Sequence, residues 1–153
     1  MWVPPELKDP VLLHAPTRKS VACCGAVNPK SGALLIQRSA WFDAQSFEAF
    51  LKLLLRRRAK GKRMVVILDN ATYHHATNLA PLLKKYRRVL TLLYLPPYSP
   101  QFNPIERVWK LARRLATHNR YFATLDELVS AVSDQFERWR SPNAVLRKLC
   151  CII

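Results

Sequence analysis

The segment Tyr94-Leu-Pro-Pro-Tyr-Ser-Pro-Gln-Phe-Asn-Pro-Ile-Glu106, read with the Leu68-Asp69-Asn70 that precedes it, sets the expected topology of this chain. Each follows a short apolar run, Met64 to Leu68 in one case and Val89 to Leu95 in the other. Such unbroken runs are the pattern of strands buried on both faces. Between them Leu79, Leu82, Leu83 and Tyr86 fall at helical spacing. Asn78 is placed to cap that helix, and Pro81 is tolerated in its first turn. Strand, helix and strand make a βαβ unit, so the two strands should be parallel with a right-handed crossover. Both then end at one edge of the sheet, where ligands of α/β folds usually bind. Asp69 stands at the end of the first strand, and Glu106 in the first turn of the helix after the proline loop. Two carboxylates brought to one point can hold a catalytic divalent cation.

Working outward, 20–27 and 33–38 flank Asn28-Pro29-Lys30-Ser31-Gly32, a cluster of turn formers that predicts a β-hairpin. From Asp43 onward Phe47, Phe50, Leu51 and Leu54 form an amphipathic stripe, so a helix should run to about Arg58 and stop before Gly61. Ile105, Val108, Ala112 and Leu115 define a third helix, with Glu106, Arg107, Lys110, Arg113 and Arg114 on its polar side. A fourth helix carries Leu125, Leu128, Val129, Val132, Phe136 and Trp139. The organisation is one domain over residues 1–153: an extended, proline-rich segment 1–19, a core 20–138 and a C-terminal tail 139–153.

The chain has 153 residues and is half apolar, enough for a real core. Lys and Arg number 25 against 10 Asp and Glu, a formal net charge of +15. That imbalance suits a polyanion such as DNA, although a ribosomal or membrane-surface protein would share it. No apolar run approaches a membrane span, and Met1-Trp2-Val3-Pro4-Pro5 resembles no signal leader. The expectation is a cytoplasmic, nucleoid-associated chain with no membrane partner. The cysteines form adjacent pairs, Cys23-Cys24 and Cys150-Cys151, which match no zinc or redox spacing and read as free thiols.

Every candidate residue also has an ordinary structural use. Asn103 as N-cap, Pro104 at N1 and Glu106 closing a capping box would need no chemistry. Asp69-Asn70 could simply end a strand and open a turn. The clusters Arg56-Arg57-Arg58-Ala59-Lys60-Gly61-Lys62-Arg63 and Lys84-Lys85-Tyr86-Arg87-Arg88 sit at helix C-termini, where cations complement the dipole. Arg107, Lys110 and Arg114 share the face of Glu106 and are the first choice for phosphate contacts, with His74 a lower choice. Tyr98 and Phe102 are expected to pack the proline loop onto the domain, stacking on an unpaired base being the alternative. The conjunction of two carboxylates on one edge, among cations, favours catalysis over the structural uses.

Taken together, Ile67-Leu68-Asp69-Asn70, His74, Tyr94-Leu95-Pro96-Pro97-Tyr98-Ser99-Pro100, Asn103-Pro104-Ile105-Glu106 and Val108-Trp109 resemble the signature of DDE-superfamily transposases of the mariner-related insertion-sequence group. The resemblance covers nearly the whole chain. It implies an α/β, RNase H-like mixed sheet flanked by helices, in which three carboxylates hold two Mg²⁺ or Mn²⁺ ions for DNA strand cleavage and transfer. Asp69 matches the second acidic position and Glu106 the third, with 36 residues between them.

In that family the first acidic residue lies on the first, central strand, shortly before a Trp-x-Pro segment that Trp2-Val3-Pro4 matches. The expectation is therefore a domain lacking that strand and its carboxylate, and Asp9 falls on the wrong side of the tryptophan to replace it. Such a chain would act on transposon ends and target DNA as a homo-oligomer or with a complementing N-terminal polypeptide. The alternative is a catalytically inactive basic DNA-binding remnant, or an inhibitor of a full-length transposase.

Overall fold

The structure is a computed structural model and describes residues 21–39, 41–140 and 142–151. The N-terminal segment, with Trp2-Val3-Pro4 and Asp9, lies outside the described residues. Two short sheets and a set of helices make up a mixed α/β fold. The first sheet is a hairpin of β1 (Ala22–Val27) and β2 (Leu34–Ser39), antiparallel from Ala22 opposite Ser39 to Val27 opposite Leu34. Its turn closes as the sequence leads one to expect. The Asn28 side chain accepts from the amides of Lys30 and Ser31 at 2.9 and 3.3 Å, and Gly32 takes φ +70°, a conformation glycine adopts at no steric cost.

Helix α1 (Ala44–Arg56) begins at Asp43, whose carboxylate accepts from the Ser46 amide at 2.7 Å while the Ser46 hydroxyl receives the Asp43 amide. Its stripe of Phe47, Phe50, Leu51 and Leu54 is buried. Strand β3 (Met64–Leu68) follows and pairs in parallel with β4 (Leu90–Tyr94), Leu68 lying opposite Tyr94. The predicted βαβ unit is thus present. Its helix starts differently: Asn78 lies in a 3-10 turn, Thr77–Leu79, and helix α2 (Ala80–Tyr86) continues from it with no side-chain cap. Pro81 in the first helical turn needs no donor there.

Helices α3 (Pro104–Ala116) and α4 (Leu125–Glu137) complete the expected set. Within the stretch expected as a tail lies a further helix, α5 (Ala144–Cys150), capped by Asn143, whose side chain accepts from the amides of Val145 and Leu146. This helix closes against the hairpin turn so tightly that a Cβ on Gly32 would stand 2.0 Å from the Asn143 carbonyl oxygen. All four cysteines are free.

The core has two parts, and they meet at the hairpin. Leu35 joins Phe47, Phe50, Leu51 and Leu54 of α1 with Leu68, Leu79 and Leu82. Its neighbour Leu34 points the other way, as successive strand residues must, into a cluster of Val108, Ala112, Trp139, Leu146 and Cys150. The hairpin is therefore covered on both faces. The parallel pair is not, and here the structure departs from expectation. Met64, Val66, Leu68 and Leu92 face the α1 side, but Val65 and Ile67 are each 52% exposed and Leu93 50%. The reason is where the C-terminal helices settle. Trp109 of α3 lies so close to Gly25 that a Cβ there would sit 2.6 Å from its ring, and the second core cluster contains no described residue of β3 or β4. Among the described residues no ladder joins the two sheets, so β1 and β3 each keep one unpaired edge.

Candidate active site

Asp69 follows directly on β3, and its position is fixed by groups that converge on it from the next turn. The Nδ1 of His74 lies 3.1 Å from the Asp69 carbonyl oxygen and 3.1 Å from its Oδ1. Both partners accept, so Nδ1 carries the proton and donates. The His74 ring is buried, packed 4.3 Å from Phe47 and 4.4 Å from Tyr73 between ring centroids. Burial holds its pKa below the ordinary histidine value and outweighs the opposing pull of Asp69. His74 is thus a neutral donor at pH 7. The Tyr73 hydroxyl is pushed the other way, raised chiefly by burial and further by the Asp69 charge. The Asp69 side chain itself remains 59% exposed.

The same edge is tied to the strand beside it. The Leu95 amide donates to the Leu68 carbonyl at 2.8 Å, and the Asn70 side-chain amide donates to the Leu95 carbonyl. The Asn70 side-chain oxygen Oδ1 in turn faces Nε2 of His75 at 3.3 Å. His75 stacks on Tyr94, ring centroids 4.3 Å apart, and the Tyr94 hydroxyl donates to the His74 carbonyl at 3.0 Å. The sequence pointed to Asp69 and His74. It did not reveal that Asn70, Tyr73, His75 and Tyr94 brace them, because those contacts depend on the register of β3 against β4.

Glu106 occupies the third position of α3. Asn103 caps that helix by accepting from the Ile105 amide at 3.4 Å, but the capping box stays open: the Asn103 amide donates to the Pro100 carbonyl at 3.0 Å instead. The contrast with Glu127 is instructive, since its carboxylate does reach back to a preceding amide, that of Ala123, at 3.1 Å. Glu106 is left without that structural duty. On the same helix Lys110, Arg113 and Arg114 are exposed. Arg107 is half-buried and donates to the Leu149 carbonyl at 3.2 Å, which ties α3 to the end of α5. Among the four residues expected to contact DNA, then, Lys110 and Arg114 are exposed and form no ion pair among the described residues, Arg107 binds the fold and His74 is interior.

The loop joining β4 to α3 also departs from expectation. Tyr98 and Phe102 do not pack it onto the domain: Tyr98 is fully exposed and Phe102 52% exposed. Internal hydrogen bonds hold the loop, with Phe102 donating to the Ser99 carbonyl and the Ser99 hydroxyl to that of Pro97, each at 3.2 Å.

Among the described residues no group of three or more His, Cys, Asp or Glu could hold a metal ion. Asp69 and Glu106 fit part of such a site, each a hard oxygen donor, one with an exposed carboxylate and the other free of its capping role.

The chain is thus a mixed α/β protein whose βαβ unit carries an oriented aspartate at the end of its first strand and is followed by a helix with a glutamate in its first turn. Residues 1–129 match the family described as DDE superfamily endonuclease, and the chain belongs to that family. It is 34% identical over 106 residues to the uncharacterized protein y4pE/y4sA of Sinorhizobium fredii, covering 69% of this chain and 75% of that one. It is 30% identical over 120 residues to the uncharacterized 39 kDa protein of insertion element IS630 from Shigella sonnei. That match covers 78% of this chain and 31% of the relative, so the chain corresponds to about a third of that protein's length.

Proposed function

We propose that the chain is the catalytic portion of a DNA transposase with an RNase H-like fold, and that Asp69 and Glu106 are two of its metal-binding carboxylates. The observation that carries this reading is Asp69 itself. A carboxylate at the end of a parallel strand is oriented by a buried, neutral imidazole yet left more than half open to solvent. A residue that merely ended a strand would need no such support. Family membership and the relative encoded by an insertion element favour DNA as the substrate.

Two Mg²⁺ or Mn²⁺ ions, when bound, would activate the attacking and leaving oxygens of an in-line displacement at phosphorus. Asp69 and Glu106 would hold them. His74 keeps one oxygen of Asp69 in place, and Lys110 and Arg114 supply positive charge for the DNA backbone, whose binding should weaken steeply with salt.

A third carboxylate and a strand are proposed to come from a complementing N-terminal polypeptide, which would pair with the open edges of β1 and β3. Unpaired strand edges and a bare apolar face are features that proteins ordinarily cover. The formal net charge of +15 also fits the second reading, a basic DNA-binding protein that does not cleave.

A plasmid-nicking assay separates the two. Nicking that needs Mg²⁺ or Mn²⁺, appears when the N-terminal portion of a longer relative is supplied, and vanishes in Asp69→Asn or Glu106→Gln supports the transposase reading. DNA binding without nicking under either condition overturns it in favour of the second.

A further inference from the structure

Tyr98 is the most conspicuous side chain that neither the core nor the carboxylate pair uses. Its ring is fully exposed, and its backbone holds φ +55°. A positive φ is strained for a bulky side chain, and such outliers persist where the surroundings dictate them, most often at binding sites. Asn119 shares the angle, φ +56°, but asparagine tolerates it. Glycine at position 98 would meet the turn without strain, so the turn alone does not call for a tyrosine.

The surroundings of Tyr98 hold the ring outward. Pro96, Pro97 and Pro100 restrict the chain around it, and the Ser99 hydroxyl closes on the Pro97 carbonyl. Three residues back lies Leu95, hydrogen-bonded to the residue before Asp69. Three extended residues reach at most about 11 Å, so Tyr98 stands within a few nucleotides' length of the carboxylate edge. The loop then runs through the half-exposed Phe102 into α3, which displays Lys110, Arg113 and Arg114. A rigid, solvent-facing aromatic ring beside a cationic helix is the arrangement by which proteins bind unpaired bases: the ring stacks and the cations follow the backbone.

We propose that Tyr98 is a stacking platform for an unpaired nucleobase of single-stranded DNA, next to the phosphate presented to Asp69 and Glu106. The assignment rests on the DNA-directed reading of that site. Its chemistry is independent of the metal, because stacking requires neither carboxylate.

The test is photochemical crosslinking of the full chain, without divalent metal, to a single-stranded oligonucleotide carrying 5-iodouracil, with the adduct mapped by mass spectrometry. A fully paired duplex of the same sequence serves as control. The expected result is an adduct on Tyr98 with the single strand and none with the duplex. Tyr98→Trp should keep the adduct at position 98. Tyr98→Gly, which relieves the backbone, should fold at least as stably as the parent, bind the single strand roughly fivefold to a hundredfold more weakly, and bind the duplex unchanged. The proposal is overturned if the parent fails to bind the single strand, if the adduct lies elsewhere, or if Tyr98→Gly binds both DNAs as the parent does or loses both equally. Because the measurement excludes metal, its failure leaves the nicking result standing, and failure of the nicking assay leaves a positive adduct standing.

Discussion

The hairpin and the parallel pair are both two-stranded and both rich in apolar side chains, yet the first is enclosed and the second is half bare. Leu34 and Leu35, adjacent in β2, enter two different clusters on opposite faces. Val65 and Val66, adjacent in β3, do not: one faces α1 and the other solvent. An unbroken apolar run therefore states what a strand can bury and not what lies over it. Cover is supplied by other elements, here α3 and α5, and these have gathered on the hairpin.

The comparison is broken most forcefully by emptying the enclosed side. Leu146 of α5 is fully buried in the cluster behind the hairpin. Leu146→Ala should cost about 2–5 kcal/mol, seen as a lowered urea midpoint. A smaller loss would mean that α5 contributes little and the hairpin is less enclosed than it looks. Overfilling the same side is the next test. A Cβ on Gly25 would approach the Trp109 ring to 2.6 Å and Ile36 Cδ1 to 2.9 Å, so Gly25→Ala should cost about 1–3 kcal/mol. An unchanged midpoint would show that Trp109 moves aside freely.

The bare face predicts the opposite. Val65→Thr and Ile67→Thr should each change stability by less than about 0.5 kcal/mol, as surface substitutions do, and together should reduce self-association in sedimentation experiments. A loss comparable to that of Leu146→Ala would mean that something covers β3 in solution. If the proposed complementing polypeptide exists, supplying the N-terminal portion of a longer relative should make the same substitutions costly, which would convert one region into the likeness of the other.

How far the sequence reveals all this follows from the same contrast. Local signals were legible: the Asn28 to Gly32 turn, the start of α1 near Asp43, the α1 stripe and the parallel pairing of β3 with β4 each rest on residues close in sequence. Asp69 was legible because a strand end and a carboxylate coincide there. What depended on distant packing was not. Arg107 lies on the polar side of α3 by spacing, but only the return of α5 gives it the Leu149 carbonyl to bind. Tyr98 and Phe102 looked like loop packing because aromatic residues usually find a core, and the proline-stiffened backbone denies them one. The Asn143 cap was the available signal for α5, and its position just after Pro142 marks the start of that helix.

The smallest predicted effect concerns pH and the support of Asp69. Burial depresses the pKa of His74 in the folded chain, whereas in the unfolded chain it titrates near its ordinary value of about 6.5. Below about pH 6.5 the unfolded state therefore takes up a proton that the folded state resists, and stability falls as the pH drops toward the depressed folded value. Above that point the full contribution is present. His74→Asn retains a donor for Asp69 but cannot titrate, so it should remove this part of the slope while leaving the fold intact. Urea midpoints at about pH 7.5 and about pH 5.5 measure it. If parent and variant lose stability in parallel over that interval, the His74 imidazole is not kept neutral by the fold, and the neutral donor assigned to Asp69 has to be given up.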